Sequence, residues 1–173
     1  MPAHLISGGA RSGKSAYAEK LALESGRPTL YIATALPGDE EMRERIEHHR
    51  RRRPAAWRTR ECPVHLGSAL REEAGPGACV IVDCLTLWLA NLNGGNVEAE
   101  REDFLRALLQ AQAEVLVVTN ELGSGIVPAG AATRSFVDEH GLTNQRVAQE
   151  CERITLMVCG QPLAVKLAGA ARG

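Results

Sequence analysis

Aromatic residues are scarce in this chain, since Phe, Trp and Tyr together make up 3% of its 173 residues. Hydrophobic residues nevertheless make up 45%, so a core must be built mainly from Leu, Val, Ile and Ala. An excess of charge of one sign is also missing, because the formal net charge is -1. The composition therefore indicates a globular protein and does not favour a general affinity for nucleic acid or anionic membranes.

Cysteine motifs and long apolar runs are absent as well. The five cysteines form no C-x-x-C pair, which argues against a zinc site. The most apolar run, residues 78–90, is too short to span a bilayer and contains Asp83. The amino-terminal "MPAHLISGG" has no basic region followed by an apolar stretch, so no signal peptide is predicted. We expect a cytoplasmic protein with no membrane insertion.

Short apolar runs alternate with amphipathic segments along the chain. Strands that are apolar throughout and alternate with helices predict a parallel sheet covered on both faces. No repeat or linker divides the sequence, so one α/β domain over residues 1–173 is expected. The predicted strands are 4–7, 28–34, 78–84, 114–120 and 153–160, and the predicted helices are 14–25, 39–53, 98–112 and 143–152.

The segment "GGARSGKS" fits the phosphate-loop pattern G-x-x-x-x-G-K-[ST] and lies between a predicted strand and a predicted helix. Its glycines let backbone N–H groups turn toward phosphate oxygens at a helix N-terminus. Lys14 is predicted to reach the β- and γ-phosphates of a nucleotide, and the Ser15 hydroxyl to bind Mg²⁺. The candidate nucleotide-binding residues are Gly8, Gly9, Ala10, Arg11, Ser12, Gly13, Lys14 and Ser15.

A carboxylate follows the apolar run "CVIV", as it does in a Walker B strand. Asp83 is therefore the second candidate Mg²⁺ ligand, with capping of the following turn as the alternative. The chain lacks the guanine-reading sequence N-K-x-D, and "TNEL" (119–122) is no substitute. A GTPase of the signalling type is not favoured.

The stretch "IEHHRRRR" (46–53) places two histidines beside the densest positive charge of the chain. On a helix beginning near Asp39, His49 falls on the apolar face of Met42 and Ile46. His48 is rotated away from that face by about 100°. This periodicity predicts a structural His49 and a His48 presented among arginines.

His48 has Arg45 at i−3 and Arg52 at i+4 as neighbours on the helix surface. A neutral imidazole is a competent nucleophile toward phosphorus, and nearby cations lower the pKa of an imidazole. Arginines also grip phosphates. The alternative is an ordinary solvated basic helix end. A nucleic-acid patch is less favoured because no aromatic residues interleave with the arginines.

The chain resembles the family of bifunctional adenosylcobinamide kinases / adenosylcobinamide-phosphate guanylyltransferases of cobalamin biosynthesis. The matching stretches run in order from about residue 5 to residue 160. The phosphate loop alone is shared by many families, but the histidine segment with "WRTRE" and "VTNELGSGIVP" is a narrow combination. The other matching stretches are "YIATA", "VDCLTLWLANL" and "NQRVAQ".

The resemblance implies a P-loop NTPase fold of the RecA-like, three-layer type, a homotrimer and two reactions. The first phosphorylates the aminopropanol hydroxyl of adenosylcobinamide with ATP or GTP. The second transfers GMP from GTP onto adenosylcobinamide phosphate through a covalent histidine adduct. The family's nucleophile corresponds to His48.

The resemblance also implies further contacts with the guanine nucleotide. Glu61 is suited to accept hydrogen bonds from the N1–H and amino group of guanine, with a solvated acid in a polar loop as the alternative. The residues implied as nucleotide contacts are Thr34, Ala35, Leu36, His49, Arg50, Arg51, Arg52, Glu61 and Asp83.

Asn120 and Glu121 follow the predicted strand 114–120, where open α/β sheets bind ligands. Glu121 is a candidate for Mg²⁺ binding or for accepting the proton of the substrate hydroxyl. The alternative is that both residues only anchor the glycine-rich loop after them. Two rival functions stay open: a small-molecule kinase without guanylyl transfer, and a non-catalytic nucleotide-binding module.

Overall fold

A seven-stranded sheet forms the centre of the computed structural model, which describes residues 3–169. Its strands are β1 (Ala3–Gly8), β2 (Thr29–Ala33), β3 (Arg58–Glu61), β4 (Cys79–Asp83), β5 (Glu114–Val118), β6 (Arg153–Val158) and β7 (Gln161–Lys166). They lie in the order β3-β2-β4-β5-β1-β6-β7. Strands β1 to β6 run parallel, and β7 pairs antiparallel with β6.

The helices cover both faces of this sheet. They are α1 (Lys14–Ser25), α2 (Glu40–Arg52), α3 (Leu66–Glu73), α4 (Leu85–Leu92), α5 (Val97–Gln110) and α6 (Ala131–Glu150). Because successive strand residues point to opposite faces, Val80 and Val82 pack into one core with Trp88, whereas Ile81 packs into a second core with Ala18. The result is the predicted three-layer α/β architecture.

Helix α1 begins and ends at the predicted residues, but four elements were not predicted. Strand β3 reads "RTRE" and carries no apolar signal, because it is an exposed edge strand. Helix α4 was not predicted because it lies in the apolar run that begins with β4, and periodicity alone does not distinguish a short buried helix from a strand. Helix α3 and strand β7 were also missed.

Helix α6 begins at Ala131, twelve residues before the predicted start. Its first turns are almost entirely exposed and show no apolar periodicity, which explains the error. Within residues 3–169, no helix is long and apolar enough to cross a membrane.

The carboxyl ends of the parallel strands form one edge of the sheet, where ligands bind in open α/β folds. Strand register aligns five residues in a row across this edge. Glu61 pairs with Ala33, Ala33 with Asp83, Asp83 with Val118, and Val118 with Ile6. The register therefore places candidate residues from distant parts of the sequence at the same edge as the phosphate loop.

A buried histidine in the sheet predicts a specific dependence of stability on pH. His4 is 3% exposed and its Nε2 lies 2.8 Å from Oγ1 of Thr155. Burial, with a smaller contribution from Arg153, lowers the pKa of His4 from 6.5 to about 4. Between these values the unfolded chain binds a proton that the folded chain does not. Stability is therefore complete above about pH 6.5 and decreases as pH falls toward 4.

We expect the His4 contribution to the free energy of unfolding to fall by about 1–3 kcal/mol across that window. Urea unfolding at pH 7, 6 and 5 measures it. The variant His4→Gln keeps a partner for Thr155 but does not titrate, so its stability should change less with pH than that of the wild type. His65→Gln, at an exposed position, is the control. Equal pH dependence in His4→Gln and wild type would contradict the assignment.

Candidate active site

The phosphate loop, residues 8–15, joins β1 to α1, as the motif predicts. Two of its glycines are required by geometry. Gly8 has φ 153°, and a Cβ there would lie 2.6 Å from both the Met157 carbonyl oxygen and Ser12 Oγ. Gly13 is the left-handed N-cap of α1, with φ 96°. A side chain at either position would strain the loop that has to wrap the phosphates.

Lys14 lies in the first turn of α1 and is 8% exposed. Its Nζ donates to the Gly9 carbonyl oxygen over 2.7 Å, so the ammonium group is held against the phosphate loop. Burial lowers the pKa of Lys14, and the neighbouring Cys84 and Asp83 oppose that lowering. A cation at this position is suited to phosphate oxygens near the helix N-terminus.

Asp83 ends β4 and accepts a hydrogen bond from the Tyr31 hydroxyl. The alternative that Asp83 caps the next turn is wrong, because the N-cap of α4 is Cys84 and no side-chain cap bond is formed there. Burial, and then Asp83 itself, raise the pKa of the Tyr31 hydroxyl, which stays a donor. The Asp83 carboxylate is thus oriented by a buried phenol.

The donor set at this edge fits Mg²⁺ bound together with a nucleotide. Ser15 offers a hydroxyl and Asp83 a carboxylate, and both are hard oxygen donors. Across residues 3–169, no group of three or more His, Cys, Asp or Glu side chains could hold a metal ion. A cation here would therefore take its other ligands from phosphate oxygens and water, as Mg²⁺ commonly does.

The carboxyl end of α2 is fastened to the phosphate-loop side of the protein. Arg52 Nη2 lies 3.1 Å from Oε2 of the buried Glu19 on α1. The next residue, Arg53, places its guanidinium 3.5 Å from the centre of the Tyr31 ring, a cation–π geometry. Burial raises the pKa of Glu19 and Arg52 opposes this. These contacts connect α2 to α1 and, through Tyr31, to Asp83.

The two histidines of α2 have different surroundings, as the helical periodicity predicts. Met42, Ile46 and His49 are half-buried, whereas His48 is exposed. Burial lowers the pKa of His49, as do Arg52, Arg53 and His48, while Asp83 opposes the change. His49 Nδ1 is buried without a hydrogen-bond partner among the described residues.

The ring of His48 meets the ring of His49 edge-on, with centroids 6.2 Å apart. The expected arginine neighbours of His48 are engaged elsewhere. Arg52 pairs with Glu19, and Arg45 lies 4.0 Å from Glu41. No hydrogen bond or ion pair found within residues 3–169 joins His48 to the phosphate loop. The structure therefore presents the His48 ring to solvent.

An ion pair between Arg50 and Glu61 separates two surface clefts at the row of strand ends. The larger has a volume of about 460 Å³ and the smaller about 280 Å³. Glu61 lies on β3 and not in a polar loop, and it lines both clefts with Arg50. The larger cleft is also lined by Arg53, Pro54, Ala55, Trp57 and Thr59, and the smaller by Ala35, Pro37, Arg43, Ile46 and Glu47.

The remaining candidate nucleotide contacts differ in accessibility. Thr34 is fully buried, and its hydroxyl accepts from Cys84 N and donates to Cys84 O, both over 2.8 Å. The Thr34 side chain therefore fixes the chain after Asp83 and does not face a ligand. Leu36 is 51% exposed, and Arg51 pairs with Glu47 on the surface of α2.

Sequence reasoning missed several residues that hold the site together. Glu19 looked like an ordinary polar residue of an amphipathic helix, and Tyr31 looked like a strand residue. The composition offered one clue, because Tyr31 is one of two tyrosines and Trp57 one of two tryptophans in the chain. Arg53 lies in the basic run 50–53, and nothing in the sequence distinguished its role from that of the other arginines.

Asn120 and Glu121 are held by backbone contacts beside the phosphate loop. The backbone N–H of Asn120 donates to Thr86 Oγ1 over 3.1 Å, and the backbone N–H of Glu121 donates to Gly8 O over 3.0 Å. Oε1 of Glu121 accepts from Gly123 N over 3.0 Å. These contacts favour the alternative in which Asn120 and Glu121 anchor the glycine-rich loop that follows them.

A buried polar network, absent from the sequence predictions, supports the same loop. His140 Nε2 lies 2.9 Å from Thr86 Oγ1, and Asn144 Nδ2 donates to Asn120 O over 3.1 Å. Thr119 Oγ1 donates to Asn144 Oδ1 over 2.8 Å. Helix α6 therefore fixes the end of β5 through His140 and Asn144, of which Asn144 lies in the matching stretch "NQRVAQ".

Comparison with known proteins places these features in a family. The sequence model described as cobinamide kinase / cobinamide phosphate guanyltransferase matches residues 4–165. The bifunctional adenosylcobalamin biosynthesis protein CobP of Pseudomonas aeruginosa is 51% identical over 166 residues, which cover 94% of this chain and 96% of the relative. The corresponding protein CobU of Salmonella typhimurium is 37% identical over 179 residues, covering 94% and 98%.

Solved structures agree on the fold. The flagellar accessory protein FlaH from Methanocaldococcus jannaschii is similar with a TM-score of 0.52 at 14% identity, covering 96% of this chain and 79% of the other. The RadB recombinase has a TM-score of 0.52 at 17% identity, covering 90% and 73%. These likenesses show the fold alone, a mostly parallel sheet with helices on both faces. At such low identity they carry no functional argument.

Proposed function

The chain belongs to the cobinamide kinase / cobinamide phosphate guanyltransferase family, and on that premise we propose that His48 is the covalent carrier of GMP in its second reaction. Members of the family catalyse both steps, so this protein is a bifunctional enzyme of adenosylcobalamin biosynthesis. The observation that supports His48 is the asymmetry of α2. On this helix His49 is half-buried and Arg52 pairs with Glu19 of α1, whereas the neighbouring His48 is exposed.

In the kinase reaction, the aminopropanol hydroxyl of adenosylcobinamide attacks the γ-phosphorus of ATP or GTP. The bond to the β-phosphate oxygen breaks, and the hydroxyl proton is released. Lys14 and the backbone amides of the phosphate loop offset charge on the transferred group and on the leaving diphosphate. Mg²⁺, held by Ser15 and Asp83, would neutralise further phosphate charge.

In the guanylyl transfer, a ring nitrogen of His48 attacks the α-phosphorus of GTP. A nitrogen–phosphorus bond forms, the bond to pyrophosphate breaks, and Lys14 offsets the charge of the departing pyrophosphate. A phosphate oxygen of adenosylcobinamide phosphate then attacks the same phosphorus. This step releases His48 and gives adenosylcobinamide-GDP. His48 and the phosphate loop have to come together for this step, by movement of α2 or across subunits.

The base of GTP fits the clefts beside Arg50 and Glu61. A carboxylate accepts two hydrogen bonds side by side, which matches the N1–H and amino group of guanine. The Arg50 guanidinium orients the Glu61 carboxylate, and Trp57 in the larger cleft offers an aromatic surface. Glu61 is therefore the proposed determinant of guanine selectivity.

The Glu61→Gln variant tests this selectivity. We expect its kcat/KM for GTP in protein labelling to fall about 10- to 100-fold. One carboxylate oxygen is replaced by an NH₂ group, which would face a donor group of guanine. The preference of GTP over ITP, which lacks the amino group, should shrink in the same variant. The matched control is Glu47→Gln, an exposed acid that lines the smaller cleft and pairs with Arg51. An unchanged GTP to ITP ratio in Glu61→Gln would place the base elsewhere.

The covalent step is tested with the wild-type protein alone. Incubation with GTP labelled at the α-phosphate, without corrinoid, should leave label on the chain that is labile in acid and stable in alkali. Trypsin cleaves after Arg45 and Arg50, so the label should be found in the peptide 46–50, and fragmentation locates it on His48 or His49. Absence of label would favour the rival kinase without guanylyl transfer.

The homotrimer and the cytoplasmic location stay predictions. Light scattering of the purified protein measures its molar mass in solution, and a mass of three chains would support the trimer. The nucleic-acid interpretation of the arginines gains no support, because most of them form ion pairs with the protein's own acids. These include the pairs of Arg43, Arg50, Arg51 and Arg52.

A further inference from the structure

We propose that Ile126 and Val127, at the tip of the loop between β5 and α6, bind the corrin ring of the substrate. This inference rests on the function proposed above, since it assigns a contact to the substrate of that reaction. The Ile126 side chain is 97% exposed and Val127 is 75% exposed. Single exposed apolar residues are ordinary on a protein surface. Here two such residues are adjacent, on a loop whose first residues contact the phosphate loop. Their exposed side chains can contact a ligand, because they contribute little to packing within the chain.

The position of the loop is fixed at both ends. At its start, Glu121 N donates to Gly8 O over 3.0 Å, directly at the phosphate loop. At its end, Arg134 Nη1 donates to the carbonyl oxygens of Pro128 and Ala129 over 2.9 and 2.6 Å. Ile126 is five positions after Glu121, so their Cα atoms are at most about 18 Å apart. The chain therefore keeps the apolar tip within about 18 Å of the residue that contacts Gly8.

The chemistry of the substrate identifies the occupant. The hydroxyl that is phosphorylated ends a short arm, and the remainder of cobinamide is a macrocycle with a methyl-bearing rim. When the hydroxyl reaches the γ-phosphate at residues 8–15, the macrocycle must lie over the neighbouring surface. Removing both the rim and the loop tip from water is favourable. The helix at the other side of the site, α2, offers mainly charged side chains. The loop tip is thus an apolar surface suited to the ring, with both of its residues more exposed than Leu36 or Val158.

The double variant Ile126→Ser/Val127→Ser tests this contact. We expect kcat/KM for adenosylcobinamide in the kinase reaction to fall about 10- to 100-fold, because the contact area becomes polar. The KM for the nucleotide, the labelling of the chain by GTP without corrinoid, and the molar mass in solution should not change. Ile126→Leu keeps the apolar character and should retain wild-type kinetics with the corrinoid.

Leu109→Ser is the matched control. Leu109 is 58% exposed, but it lies near the end of α5, just before β5 begins, and therefore at the opposite edge of the sheet. An unchanged kcat/KM for the corrinoid in the double variant, or an equal loss in Leu109→Ser, would overturn the proposal. A changed molar mass would also overturn it and identify the tip as a contact between copies of the chain. If GTP did not label the wild-type chain, the covalent mechanism would be refuted. The effect of the double variant on kcat/KM for the corrinoid would still test the contact.

Discussion

Replacing His48 with alanine is expected to abolish the retention of label from α-labelled GTP and to leave phosphorylation of the corrinoid within about threefold of wild type. The proposed covalent adduct needs a ring nitrogen at this position, and alanine supplies none. The kinase step transfers the γ-phosphoryl group directly from nucleotide to hydroxyl, so it does not require His48. The exposed ring of His48 packs against no core residue, and the variant should therefore fold normally.

His49→Gln is the matched control for that experiment. His49 is half-buried on the face of α2 that carries Met42 and Ile46, and burial lowers its pKa. We expect this variant to retain label, at a rate reduced by no more than about tenfold. Label that persists in His48→Ala and disappears in His49→Gln would reverse the assignment of the two histidines.

Replacing Lys14 with alanine is expected to slow both reactions by about 10²–10³-fold, the usual effect of removing one fixed donor from developing charge. The Lys14 ammonium is held 2.7 Å from the Gly9 carbonyl oxygen, inside the loop that wraps the phosphates. In the proposed mechanism, the same cation faces the transferred phosphoryl group in the first step and the departing pyrophosphate in the second. Steady-state phosphorylation and single-turnover labelling measure the two effects separately.

Lys20→Ala is the control, because Lys20 lies on the same helix but is exposed and pairs with Glu24. Its rates should match those of the wild type. If Lys14→Ala lost phosphorylation but labelled normally with GTP, guanylyl transfer would use a second nucleotide site, and the shared role of the phosphate loop would be wrong.

The local patterns of the sequence predicted the parts of the site that are contiguous in the chain. The phosphate loop combines fixed spacing with required glycines, so its position between β1 and α1 followed from the sequence. The helical period separated His48 from His49 correctly, because burial on α2 depends on that period alone. The carboxylate at the end of β4 was found for a similar reason, since an acidic residue after an apolar strand is conspicuous.

The contacts that assemble the site could not be predicted in this way. Arg52 and Glu19 are 33 residues apart, and Tyr31 and Asp83 are 52 apart. Such pairs form only when the sheet places distant segments side by side. The order of the strands cannot be deduced from local patterns in a single sequence. As a result, Arg52 was predicted to flank His48, whereas its guanidinium binds the buried carboxylate on α1.

Strand β3 shows a second limit of sequence patterns. It carries Glu61, yet its four residues, "RTRE", are all polar because it is an edge strand with little apolar surface to bury. Its arginines are paired with acids on α3, Arg58 with Glu73 and Arg60 with Glu72. Charge pairs between elements replace the apolar pattern, so no strand was predicted at Glu61, for which a polar loop stood as the alternative.

The most direct test of the account is a double-label experiment on the purified chain. The protein is given adenosylcobinamide, GTP labelled with one isotope at the α-phosphate, and ATP and GTP labelled with a second isotope at the γ-phosphate. The account predicts that wild type forms adenosylcobinamide-GDP with the two isotopes in equal amounts. It predicts that His48→Ala forms adenosylcobinamide phosphate with the γ-label alone. Product from His48→Ala that carries the α-label would contradict the covalent role of His48.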